Sequence, residues 1–112
     1  QFEYPDAVFP LPSVIPLGAA HSAEVQYVCG HRAGLAMSFS AVEQTLSSAM
    51  IGYWTRFAAT GDPNGGGAVA WPALDAGNHH LVLDATIGEG AAAKQAACDF
   101  WSGLDYLRPP LQ

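Results

Sequence analysis

Gly18-Ala19-Ala20-His21-Ser22-Ala23-Glu24 is a run of small residues holding one histidine, with a carboxylate three positions further on. Glycine and the alanines permit close backbone approach and leave room beside the imidazole for a bulky group. Val25, Tyr27 and Val28 supply an apolar run that ends at Gly30. That run is too short for periodicity to separate a helix from an extended piece. With an ordinary pKa of roughly 6.5, an imidazole can take and return a proton near neutrality. To act as a general base it needs a nucleophile within hydrogen-bond reach and an orienting carboxylate on its other ring nitrogen. No Gly-x-Ser-x-Gly elbow occurs in the chain, and none of the seven serines (13, 22, 38, 40, 47, 48, 102) reads as lying between a strand and a helix. The histidine lacks a nucleophile in these 112 residues.

On the C-terminal side, Ser40-Ala41-Val42-Glu43 has capping-box spacing: the serine hydroxyl can accept from the Glu43 amide while the carboxylate reaches back. Leu46, Ala49, Met50, Tyr53, Trp54 and Phe57 follow at helical spacing. Gly61 suits a left-handed cap, and Asp62-Pro63-Asn64-Gly65 a turn with proline preset at its second position. The spacing predicts a helix over 41–60. Beyond the glycine loop 65–67, Trp71-Pro72 reads as an extended anchor for a buried indole. His79 to Asp84 reads as a short strand, and about Gly90 to Leu104 as a helix with Ala91, Ala97, Phe100, Trp101 and Leu104 on its apolar side. On the N-terminal side, Gln1 to Tyr4 reads as the end of a strand with Phe2 and Tyr4 on one face. Prolines 5, 10, 12 and 16 then exclude helix and favour a surface-packed loop.

Composition narrows the function classes. The chain is half hydrophobic and only 12% charged, so its 112 residues form one unit with more apolar surface than a small domain can hide. Arg32, Arg56, Lys94 and Arg108 are scattered against a net charge of −6, which excludes a basic nucleic-acid footprint and a basic membrane patch. No apolar run reaches the roughly 18 residues of a membrane span. His79 and His80 are adjacent and would point to opposite faces of a strand; His31 sits in a glycine-flanked turn. With no His-x-x-x-His or Cys-x-x-Cys spacing, no metal site is expected. Cys29 and Cys98 could pair together, stay reduced, or pair outside the chain. Two cysteines leave the compartment open, with an extracellular or periplasmic setting favoured over a cytoplasmic one.

Three ordered stretches carry a resemblance: Gly18 to Glu24 with Tyr27-Val28-Cys29-Gly30; Leu46 to Met50 with Tyr53 to Ala58 and Thr60-Gly61-Asp62-Pro63-Asn64; and Trp71-Pro72, Leu81 to Asp84 and Cys98-Asp99-Phe100-Trp101. From about Phe2 to Leu107 the chain resembles the C-terminal end of the type B carboxylesterases, the cholinesterase-like α/β-hydrolases. The resemblance implies an α/β class and, over residues 1–112, the C-terminal part of that fold: the last sheet strand, the catalytic-histidine loop, the long helix, a short strand and a C-terminal helix. Such a piece is not expected to be an autonomous domain, since the missing N-terminal portion carries the rest of the sheet.

The resemblance further implies a Ser–acid–His triad in which His21 is the base, with the serine and acid upstream of Gln1, and a small carboxylic ester as substrate. It implies no cofactor. The fragment alone is expected to be inactive. Glu24 would brace the loop, and Cys98 resembles a cysteine that, in some members, forms a disulfide with an upstream partner. Cys29, at a commonly aromatic position, would pack as a small core residue, and Ser22 stands where the family often has glycine. A non-catalytic cholinesterase-like binding or adhesion protein is the alternative, distinguished by whether the upstream elbow holds a serine.

Overall fold

The computed structural model describes residues 1–7, 18–32 and 38–104. Its elements run in the order α1 (Val25–Val28), α2 (Ala41–Thr60), β1 (His80–Val82), β2 (Gly88–Gly90) and α3 (Gln95–Ser102). Most of prolines 5–16, where the surface-packed loop was expected, lies outside the described residues, as does the sequence beyond Leu104.

The long helix forms with the predicted bounds and for the predicted reasons. The Ser40 hydroxyl accepts from the Glu43 amide at 3.3 Å, and the Glu43 carboxylate accepts from the Ser40 amide at 2.8 Å. Gly61 closes the far end at φ 79°, its amide donating to the Phe57 carbonyl at 2.8 Å. The buried side chains of α2 are Glu43, Leu46, Ser47, Met50 and Tyr53, one stripe at three- and four-residue steps. Trp54 and Phe57, read as part of that stripe, are instead exposed on its flank.

The reversal after α2 is closed by side chains. Asp62 Oδ1 accepts from the Asn64 amide at 2.9 Å. Asn64 grips Trp71 at both backbone groups: its Oδ1 accepts from the Trp71 amide at 2.6 Å and its Nδ2 donates to the Trp71 carbonyl at 3.2 Å. Arg56 Nε donates to the Pro63 carbonyl at 2.7 Å while its guanidinium lies 5.2 Å from the Tyr53 ring centroid. Trp71 is thereby held edge-on to Tyr53 and beside Trp54, half-buried. Tyr53, Trp54, Phe57, Pro63 and Trp71 line an apolar groove.

The expected strand over 79–84 is shorter, His80–Val82, and its partner was not anticipated. β1 pairs antiparallel with β2, His80 opposite Gly90 and Val82 opposite Gly88. Gly-Glu-Gly has poor strand propensity, but a Cβ on Gly90 would lie 2.8 Å from Val82 Cγ2 and from His80 Nε2, so the close approach of the two strands requires glycine there. The predicted C-terminal helix is correspondingly shorter, Gln95–Ser102. Gly90 is committed to the sheet, and Ala92 and Lys94 take positive φ of 54° and 56°, which no helix interior admits. Its expected apolar side is not buried within the described residues: Phe100 and Trp101 meet edge-to-face at 5.1 Å with both rings exposed.

At the N-terminus the expected strand is a single parallel bridge, Phe2 to Leu83, with the Glu3 amide donating to the Leu83 carbonyl and the Leu83 amide to the Gln1 carbonyl. The core gathers where these pieces meet. Tyr4, Ala7, Ala23, Tyr27, Leu46, Met50, Tyr53, Leu81 and Leu83 are buried together, with Phe2, Phe39 and Trp71 packed against them.

Candidate active site

His21 sits in a tight loop directly before α1. Gly18 takes φ 57° with open space around its Cα, so glycine serves the backbone angle there and not a close contact. Ser22 also takes a left-handed φ, 67°. The Ala23 amide donates to the Ala20 carbonyl at 3.0 Å and the Val25 amide to the Ser22 carbonyl at 3.3 Å, so the chain turns twice within six residues, the first turn enclosing the histidine. Ala23 is the loop's foot in the core, 2% exposed, while His21 itself faces outward. No described side chain hydrogen-bonds its imidazole.

Glu24 is the residue before α1. Its carbonyl accepts from the Tyr27 amide at 3.0 Å and the Val28 amide at 3.1 Å, and its side chain makes no capping hydrogen bond. The bond pattern resolves the residues after the loop as a single helical turn, the choice that periodicity left open.

α1 is held against α2 by one fully buried residue, Tyr27. Its ring stacks on Phe39 with centroids 5.2 Å apart and meets Phe2 and Tyr4 at 5.5 and 5.8 Å. Its hydroxyl donates to Glu43 Oε1 at 3.1 Å, and its carbonyl accepts from the Ser47 hydroxyl at 2.7 Å. Arg32 reaches the same carboxylate at 3.3 Å and donates to the Ser38 carbonyl. Burial opposes ionisation of Glu43, but hydrogen bonds from Ser40 and Tyr27 and the Arg32 charge outweigh it, holding the carboxyl below its ordinary value. Burial, then the adjacent Glu43 charge, push the Tyr27 phenol well above its own.

This network is the part of the site that the sequence did not give up. The sequence reads Glu43 as a cap, Tyr27 as part of an apolar run and a family match, and Ser47 as a serine outside any nucleophile elbow and a family match. The available signal was two polar residues, Glu43 and Ser47, one turn apart on the same helix face as Leu46 and Met50. A polar group on a buried stripe needs a partner.

The other histidines lie apart from this loop in sequence and have local partners. His31 is exposed, with Nδ1 2.7 Å from the Cys29 carbonyl oxygen. His79 pairs with Asp75 at 2.7 Å; that hydrogen bond raises the imidazole pKa and lowers the carboxyl pKa. His80 Nδ1 lies 2.9 Å from the Asn78 carbonyl oxygen. Among the described residues no three histidines, cysteines or carboxylates gather as a metal site. Both cysteines are free and exposed, so Cys29 is not the small core residue expected: it stands at the C-cap of α1, beyond the buried Tyr27. No helix among the described residues is long and apolar enough to cross a membrane.

Comparison with known proteins gives the chain's family. Residues 1–101 match the carboxylesterase family. The chain is 39% identical to dog carboxylesterase 5A over 89 residues, which cover 75% of the chain and 16% of that protein. It is 31% identical to mouse acylcarnitine hydrolase over 103 residues, 91% of the chain and 18% of that protein. In three dimensions it matches PNB esterase, an α/β-hydrolase, with a TM-score of 0.67 over 88% of the chain and 19% of that structure, at 23% identity. The chain thus spans less than a fifth of the relatives it matches.

Proposed function

Since the chain belongs to the carboxylesterase family, we propose that it is the C-terminal part of a serine carboxylic ester hydrolase and that His21 is the base of its triad. α/β-Hydrolases order their triads serine, acid, histidine along the chain, so both partners of His21 precede Gln1 in the full-length polypeptide. The serine hydroxyl gives its proton to His21 as its oxygen attacks the ester carbonyl. The imidazolium then protonates the departing alcohol, and the same ring activates water to hydrolyse the acyl-enzyme. The substrate is a small carboxylic ester, and no cofactor takes part.

The observation that supports this reading best is the setting of His21: an outward-facing imidazole on a twice-turned loop whose next residue but one, Ala23, is anchored in the core. The backbone beside the ring is anchored, and the imidazole is left open for a partner. Glu24, where the loop passes into α1, is the proposed brace of the loop; its carbonyl accepts the Tyr27 and Val28 amides of that helix. Cys98, exposed and unpaired among the described residues, is available to an upstream cysteine, in keeping with an extracellular or periplasmic setting.

The test is hydrolysis of p-nitrophenyl butyrate by the full-length polypeptide. His21→Ala should lower kcat by at least about 10³-fold, as loss of a triad member does elsewhere. Turnover that survives His21→Ala, or an upstream elbow without serine, would overturn the triad assignment; the latter outcome would favour the binding-protein alternative.

A further inference from the structure

Among the described residues the histidine loop is closed by two backbone hydrogen bonds of its own, and the helix it runs into is four residues long. A single turn of helix has no independent stability in water. The orientation of the loop is set by its buried foot, Ala23, whose carbonyl accepts from the Gln26 side chain, and by whatever grips α1 from outside. That grip converges on Tyr27, six residues after His21, and comes from α2: Glu43 takes the hydroxyl at one end of the residue and Ser47 takes the carbonyl at the other.

The two gripping residues are one turn apart on a helix of twenty residues, capped at both ends and buried on one face from Glu43 to Tyr53. Their own positions are well determined. Glu43 is fixed a second time by the Ser40 amide and by Arg32, and it is 4% exposed. Around Tyr27, Phe39 is stacked, Phe2 tilted and Tyr4 edge-on, and together they supply burial. The two hydrogen bonds, at opposite ends of the residue, add direction to that contact.

The geometry points to Glu43 and Ser47 as positioning residues for catalysis, a two-point clamp on Tyr27 that sets where the His21 imidazole stands. This rests on the assignment of His21 as the triad base. Neither residue touches the reacting atoms. They act on kcat because misplacing a base by a fraction of an ångström weakens proton transfer without removing the base.

The experiment uses the full-length polypeptide with Ser47→Ala, Tyr27→Phe and the double substitution. Each single change removes one arm of the clamp and keeps the core shape. Turnover of p-nitrophenyl butyrate is counted per active site, from the initial burst of p-nitrophenol, so that unfolded molecules do not contribute. Each single variant should lose about 10-fold in kcat, and the double up to about 10²-fold, the scale of an ångström misplacement. KM should stay within about twofold, since uniform binding is untouched.

A purely structural role would lower the thermal midpoint and leave kcat per active site at the wild-type value; that result overturns the clamp. His21→Ala separates the two readings. If it abolishes turnover while the clamp variants retain full kcat, only the clamp fails. If His21→Ala retains turnover, the triad assignment fails and the clamp with it.

Discussion

Ser22 is the residue of the histidine loop whose backbone and side chain disagree. Its φ of 67° lies in the left-handed region, which for a residue with a Cβ costs about 1–2 kcal/mol. Glycine occupies that region freely but loses about 0.5–1 kcal/mol through its larger unfolded entropy. Ser22→Gly is therefore expected to stabilise the full-length protein by up to about 1 kcal/mol, read as a raised urea midpoint at unchanged slope. A lowered midpoint would mean that the serine hydroxyl does more than the backbone angle suggests. The family's frequent glycine after the histidine has a physical reason here. It was legible as a departure in the sequence, and only the angle explains it.

Glu43 and Tyr27 set a pH window. The folded Glu43 carboxyl lies below its ordinary value of about 4.3, so its stabilising contribution is complete above that value and is lost as pH falls through the lowered one. Tyr27 is raised above its ordinary value of about 10, so its contribution is complete below that and is lost as pH rises through the raised one. The clamp is thus insensitive to pH across neutrality. Glu43→Gln should cost about 1.5–3 kcal/mol at pH 7, the worth of hydrogen bonds to a charged group. It should also flatten the fall of the thermal midpoint as pH drops below the ordinary carboxyl value of about 4.3, because the titrating carboxyl is gone. An equal fall in the variant and the wild type would assign acid sensitivity to other carboxylates.

At the scale of elements, legibility followed the number of independent local signals. α2 carried four: a capping box, a helical stripe, a C′ glycine and a following Asp-Pro, each favouring the same bounds. β2 carried none: Gly88-Glu89-Gly90 has no strand signal of its own, and its fit against β1 depends on a bare position at Gly90 alone. α3 was overextended because the alanines at 91–93 are good helix formers in isolation. The hairpin takes Gly90 and turns the chain at Ala92 and Lys94 before the helix can begin. Gly90→Ala is therefore expected to destabilise the hairpin by about 1–2 kcal/mol through contact with the stiff Val82 side chain. Faster amide exchange across β1 and β2, with α2 unchanged, is the measurement. Gly88, with open space around it, is the control: Gly88→Ala should leave exchange nearly as it was.

At the scale of the molecule, the described residues leave many large apolar side chains bare. Trp54, Phe57, Val69, Leu74, Phe100 and Trp101 are all exposed. The Cα radius of gyration is 17.1 Å, whereas a compact domain of this length has about 13 Å. A two-stranded sheet with one bridging residue cannot cover both faces of the helices around it. The isolated 112-residue chain is accordingly expected to bind ANS, to unfold without a cooperative transition and to hydrolyse no ester. A sharp thermal transition with no dye binding would establish it as a domain in its own right. The low charge and high apolar content already pointed this way in the sequence. Which residues would be left bare could not be read there, because helical spacing assigned Trp54 and Phe57 to the same stripe as Tyr53.

The clasp of Asn64 on Trp71 has a consequence measured in time. Asn64 precedes Gly65, and glycine offers the least hindered backbone nitrogen for attack on a neighbouring side-chain amide, the route by which asparagine slowly becomes aspartate or isoaspartate. Here that amide is tied on both sides, to Asp62 and to both backbone groups of Trp71, and cannot swing toward the Gly65 nitrogen while the clasp is closed. Once converted, position 64 would have a carboxylate facing the Trp71 carbonyl and could no longer donate to it. The reversal after α2 thus protects its own chemistry, and its opening rate sets a shelf life for the Trp71 anchor.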